Sequence, residues 1–81
     1  KQVGGGMGNV QHESKSVNSS TTSITTTHKI SLNGYGIVGM YYNSAMIAMG
    51  VGYTVGSDKK TVNLLFTPSD ESFIDIIYIR G

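Results

Sequence analysis

The chain has no cysteine, few charges and no unbroken hydrophobic run of membrane-spanning length. Without cysteine there is neither a disulfide framework nor a thiolate metal site. The two histidines, His12 and His28, have no carboxylate cluster beside them at a ligand-like spacing, so no metal and no other cofactor is expected. This absence leaves the redox compartment open, since many exported bacterial proteins also lack cysteine. Six basic and five acidic side chains give a net charge of +1, and only 14% of residues are charged. Nucleic-acid binding needs a basic stripe to displace counterions from phosphates, so nucleic acid is not expected as a partner. A nucleophile–base–acid arrangement is missing too. Serines and threonines are too numerous to single one out, and none is tied by spacing to a histidine and an acid, so the chain is not read as an enzyme.

Eighty-one residues make one domain, and a chain this short buries only about 60–65% of its unfolded surface. Small scaffolds compensate with disulfides, a metal or association, and association is the route left open here. Little charge beside abundant Ser, Thr, Asn and Gly is commoner outside the cytoplasm, so the expected location is secreted or at the cell surface. The chain starts at Lys1, as a processed or trimmed N-terminus would.

What the sequence does have is an uncharged stretch from Ile30 to Ser57 that holds six of the eleven glycines among Met, Tyr, Ile and Val. Its second half alternates, with Ala45, Ile47, Met49, Val51, Tyr53 and Val55 on one side and Met46, Ala48, Gly50, Gly52 and Thr54 on the other. That period predicts a strand with one apolar face and one nearly bare face open to a neighbouring backbone or chain. Upstream, residues 1–9 with Gly4, Gly5, Gly6 and Gly8 read as a flexible arm, and residues 10–81 as a single β domain. Val10–Val17 is β-compatible, and Asn18-Ser19-Ser20 reads as a turn with the form of a glycosylation sequon. Two fates are open to Val10–Val17: pairing as the first strand of that hairpin, or adding in trans to a neighbour's sheet edge.

Thr21–Leu32 alternates as a half-buried strand with Ile24, His28 and Ile30 on one face, and His28 is read as a satisfied, partly buried histidine. Asn33-Gly34 then signals a hairpin turn, Tyr35–Tyr42 its returning strand and Asn43-Ser44 a second reversal. Gly56-Ser57-Asp58-Lys59 makes a third turn before a Thr61–Thr67 strand, which ends at Pro68-Ser69-Asp70-Glu71. In the last segment a helix-start signal at Thr67–Glu71 competes with the isoleucine-rich run Phe73–Ile79, and β-branching favours a strand. Asp75 is the one carboxylate inside that run, so burial would raise its pKa unless a partner holds it.

Gly34-Tyr35-Gly36-Ile37-Val38-Gly39 fits the dinucleotide-binding glycine pattern. However, Met40–Gly50 has a strand period where that motif needs a helix, and no second half-domain follows. The same glycine spacing recurs at Gly50 and Gly52, consistent with small patches on successive hairpins. Adjacent His12 and Glu13 point to opposite faces of a strand and cannot share a ligand.

The sequence is therefore read as all-β, with about six short antiparallel strands in a small sandwich or barrel. The expected function is non-enzymatic binding, chiefly self-association into an oligomer or fibre. Its expected surface comprises Val10, His12, Tyr35, Tyr41, Tyr42, Ala48, Gly50, Gly52 and Tyr53. The tyrosines also leave carbohydrate open as a ligand. The alternative is a secreted antimicrobial or pore-forming toxin that inserts its glycine-rich hairpins, and only under that reading is a membrane a partner.

Overall fold

The computed structural model describes residues 9–81, so the expected arm falls, apart from Asn9, outside the described residues. Seven strands form two antiparallel sheets. The four-stranded sheet has the order β1 (Val10–Val17), β7 (Ser72–Ile79), β3 (Ile37–Tyr42), β4 (Ala45–Ile47). The three-stranded sheet has the order β2 (Ser23–Thr25), β6 (Thr61–Leu64), β5 (Tyr53–Val55). Between them lies one core: Val17, Met40, Ile74, Ile76 and Tyr78 from the larger sheet, Ile24, Val62 and Tyr53 from the smaller, and Ile30 from the connection.

The all-β class and the strand in the last segment are as the sequence predicts. On β7 the burial alternates strictly, with Ser72, Ile74, Ile76 and Tyr78 buried and Phe73, Asp75, Ile77 and Ile79 on the other side. Asn43-Ser44 also reverses the chain as expected. Both residues have φ > 0 (48° and 74°), the requirement of a two-residue type I′ hairpin, and Tyr42 pairs with Ala45 across it. In the β5–β6 turn, Asp58 Oδ1 accepts from the Lys60 and Thr61 N–H groups at 3.0 and 2.9 Å, and Oδ2 from the Thr61 hydroxyl at 2.7 Å. These bonds hold the exposed Asp58 carboxyl down to about 2.

Four expectations are corrected. Val10–Val17 does not form a hairpin across Asn18-Ser19-Ser20: within the chain it pairs along all eight residues with β7, from Val10 opposite Ile79 to Val17 opposite Ser72. The Asn18 turn exists, closed by Thr21 N–H to Asn18 O at 3.0 Å, but it carries the chain across to the other sheet. Thr21–Leu32 is not one strand. Its β part ends at Thr25, and Ile30 N–H bonds Lys59 O while Ser31 N–H bonds Ile79 O, so the chain crosses between sheets there. Asn33 and Gly34 do have the positive φ of a tight turn (57° and 92°), yet their flanks do not pair as a hairpin, because β3 pairs with β7 and β4. Lastly, Ala45–Val55 breaks into β4 and β5. Gly50 sits at φ 82°, and Val51 and Gly52 N–H groups both bond Ala48 O. That left-handed corner, which glycine adopts without steric cost, moves the chain to the second sheet and makes the strand count seven.

Candidate functional site

The two sheets differ on the faces that point away from the core. The smaller sheet turns out Ser23, Thr25, Thr54, Thr61 and Asn63, as a solvated face should. The larger sheet turns out Phe73, Ile77 and Ile79 from β7, Val38 and Tyr41 from β3, and Met46 from β4. Phe73, Val38 and Met46 are 55%, 60% and 68% exposed. Val38 reaches this face through an irregularity in the β3–β7 pairing between Ile37 and Gly39. Tyr41 lies over Gly39: a Cβ there would stand 2.9 Å from the Tyr41 hydroxyl and 3.0 Å from its ring. The bare position is thus filled by the chain's own tyrosine, not by a neighbouring backbone.

A polar group sits in the middle of this apolar face. Ser14 and Tyr41 both lie opposite Asp75 in register, and His12 lies opposite Ile77 on the same side. The Ser14 hydroxyl donates to Asp75 Oδ1, and His12 Nε2 stands 3.1 Å from the same oxygen. The Ser14 bond first, then the His12 bond, hold the Asp75 carboxyl below its ordinary value. Burial raises it by less than these bonds lower it. Although the trio has the composition of a hydrolase triad, its order is wrong: serine must hand its proton to histidine, whereas here both groups converge on the carboxylate.

Glu13, on the inner side of β1, is the residue whose role was not legible in the sequence. Its carboxylate accepts from the Tyr78 hydroxyl at 2.5 Å and the Thr27 N–H at 3.1 Å, and pairs with Lys15 Nζ at 3.1 Å. Tyr78 in turn accepts from His28 N–H at 3.2 Å. Burial pushes the Glu13 carboxyl up, but the bonds from Tyr78, Lys15 and Thr27 outweigh it and leave it below its ordinary value. This network ties the β1 edge to the loop after β2, and half-buried His28 joins it through its backbone. Its signal in the sequence, a lone acid in a polar strand, is too common to identify it.

The expected surface residues divide accordingly. His12, Tyr41 and Val10 lie on the apolar outer face, Val10 half-buried at the start of β1 opposite Ile79. Tyr35 and Gly50 line a cleft of about 270 Å³ with Asn33, Gly34, Met49, Thr54 and Val55, away from that face. Ala48 and Gly52 belong to the β4–β5 corner. Two placements are corrected. Tyr53 is buried in the core, because its side of β5 faces inward with Val55. Tyr42 also faces inward: its ring meets Phe66 edge-on at 4.9 Å and its hydroxyl accepts from Ser69 N–H at 2.7 Å.

After the GxGxxG-like run comes the β3–β4 hairpin, not a helix, so the dinucleotide context is missing. Among the described residues no group of three or more His, Cys, Asp or Glu could hold a metal ion, and no helix is long and apolar enough to cross a membrane. Comparison with protein-family models, curated proteins and solved structures found no match.

Proposed function

We propose that this chain is a secreted or surface-displayed β domain that works by binding, and that its partner is a second copy docked on the outer face of the four-stranded sheet. The contrast between the two outer faces carries the reading: one is Ser, Thr and Asn, the other sets Phe, Ile, Val, Met and Tyr around Asp75 beside the polar His12, Ser14 and Ser16 of the β1 edge, in a chain small enough to need every apolar side chain inside. The cleft at Tyr35 lies off this face, and the one at the Asn18 turn reaches it only at Ser16. A flat surface without a cleft suits another flat surface better than a small ligand. Four strands about 4.8 Å apart, of eight, eight, six and three residues at about 3.4 Å rise, give roughly 400 Å² per copy. Two faces then bury about 800 Å², the size of a weak, transient contact and not of an obligate one. The toxin alternative fares less well physically, since extracting the 30–57 segment would pull Met40 and Tyr53 out of the core.

Sedimentation velocity from micromolar to millimolar concentrations tests this. The wild type should self-associate, while Phe73→Ser combined with Met46→Ser should be monomeric and equally well folded. A wild type that stays monomeric throughout, or a double variant that associates like it, overturns the reading.

A further inference from the structure

Resting on that docking face, we propose that its self-association is coupled to protonation of His12, so that the contact is tight in mildly acidic solution and weak in mildly alkaline solution. The geometry is the argument. Asp75 lies midway along β7, an inner strand of the sheet, so two faces meeting about their centres bring their two Asp75 carboxylates toward each other. The charge environment is sparse. From β1 the face carries His12, Ser14 and Ser16; from β7 Asp75 among Phe73, Ile77 and Ile79; from β3 Tyr41; and from β4 Met46. Glu13 and Lys15 are on the other side of β1, paired with each other at 3.1 Å, and Arg80 lies exposed beyond the end of β7. Within the strands of this face, therefore, Asp75 and His12 alone determine the charge.

With neutral imidazole, the Nε2–H donates to Asp75 and each face carries one negative charge. Docking must then strip water from two carboxylates that have no countercharge, which is costly in a drying interface. A second proton on Nδ1 turns His12 into an imidazolium 3.1 Å from Asp75 Oδ1. The face becomes neutral, and the residual cost is that of burying a bonded pair. Association and proton uptake are linked and reciprocal, with at most one proton per copy, and an unperturbed histidine titrates near 6.5.

The test is the dimer dissociation constant by sedimentation at about pH 5.5 and about pH 8, either side of that histidine value, with circular dichroism to verify folding. Wild type should bind about tenfold or more tighter at the lower pH, within the usual range of such couplings. His12→Gln should associate equally at both. Asp75→Asn should bind at the higher pH at least as tightly as wild type, and should not tighten on acidification. Wild-type association that does not change with pH, or a dependence that survives in His12→Gln, overturns the coupling and leaves the docking face standing. No wild-type association at either pH overturns both.

Discussion

Removing one oxygen atom tests the join between the sheets. Tyr78 is fully buried, its hydroxyl donates to Glu13 and it accepts from His28 N–H. Tyr78→Phe keeps the ring in the core but takes one donor from the carboxylate and the hydroxyl acceptor from the His28 N–H. A hydrogen bond to a charged group is worth about 1.5–3 kcal/mol, and an unpaired N–H in a half-buried site adds up to about 1 kcal/mol. Glu13 keeps Thr27 and Lys15, so the loss should stay below the roughly 3–5 kcal/mol of a broken buried ion pair. The expected cost is about 2–3 kcal/mol. For a domain of this size each kcal/mol moves Tm by about 4–8 °C, so melting should fall by roughly 10–20 °C. A change under about 0.5 kcal/mol, the scatter of ordinary surface substitutions, would refute the network as a structural tie.

The pH dependence of that difference is fixed in sign. The Glu13 carboxyl lies below its ordinary 4.5, so its contribution is fully present above that value and is lost as pH falls through the lower folded value. The Tyr78 phenol is raised above 10, first by burial and then by its bond to Glu13. Its contribution is full below 10 and is lost as pH rises through the raised value. Urea denaturation at a series of pH values should therefore show wild type and Tyr78→Phe differing most at neutral pH and converging toward both extremes.

Asp58, held at about 2 by the Thr61 and Lys60 N–H groups and the Thr61 hydroxyl, should still be ionised at about pH 3 in a carboxyl NMR titration; a midpoint near the ordinary aspartate value of about 3.9 would mean the turn bonds are not formed. Gly50→Val should cost about 1–3 kcal/mol through its φ of 82° alone, since a Cβ there meets nothing within 4 Å. Gly52→Val, where a Cβ would stand 3.1 Å from Ile47 Cβ, should lose about 1–3 kcal/mol through crowding, as chemical denaturation would show. Deleting residues 1–17 should leave a poorly folded, aggregating chain, because it strips β1 from β7 and bares a long edge. A synthetic peptide of residues 10–17 should restore folding measured by circular dichroism.

Local rules read the local turns well. Asn43-Ser44 and Gly56–Lys59 behave as their sequences dictate, because a two-residue left-handed turn and an aspartate-closed turn are decided by the residues within them. Period two also put Tyr53 and Val55 on one apolar side, the side that faces the core. The sequence reading failed wherever the question was which strand a strand meets. Val10–Val17 finds its partner more than sixty residues away, where no local signal reaches. The alternation of Ala45–Val55 is genuine on both sides of the break, yet a single glycine at positive φ sends its halves to different sheets. Asn33-Gly34 shows the same limit, since its dihedral angles suit a hairpin while β3 finds its partners elsewhere. Of the candidate site, His12 and Tyr41 could be named from sequence. Their meeting around Asp75 depends on the β1–β7–β3 register, as does the assignment of Phe73 to an outer face.

Phe73 and Ile74 put that assignment to the sharpest test, because they are neighbours on opposite faces of one strand. Ile74 has no exposure and packs in the core, so Ile74→Ala should cost about 2–5 kcal/mol of monomer stability. Phe73 is more than half exposed and can gain little from burial in the isolated chain, so Phe73→Ser should cost the monomer little. Solubility alone would favour on β7 the kind of outer residues found on β1, where His12, Ser14 and Ser16 face solvent. It would also favour the Ser, Thr and Asn of the smaller sheet. An apolar outer face beside these polar ones is what the proposed contact between copies accounts for. Dilute thermal melts and concentrated sedimentation runs on the two variants separate the terms: Ile74→Ala should shift the first, Phe73→Ser the second. Equal loss of monomer stability in both would show that Phe73 supports the fold itself, and the docking face would lose its physical basis.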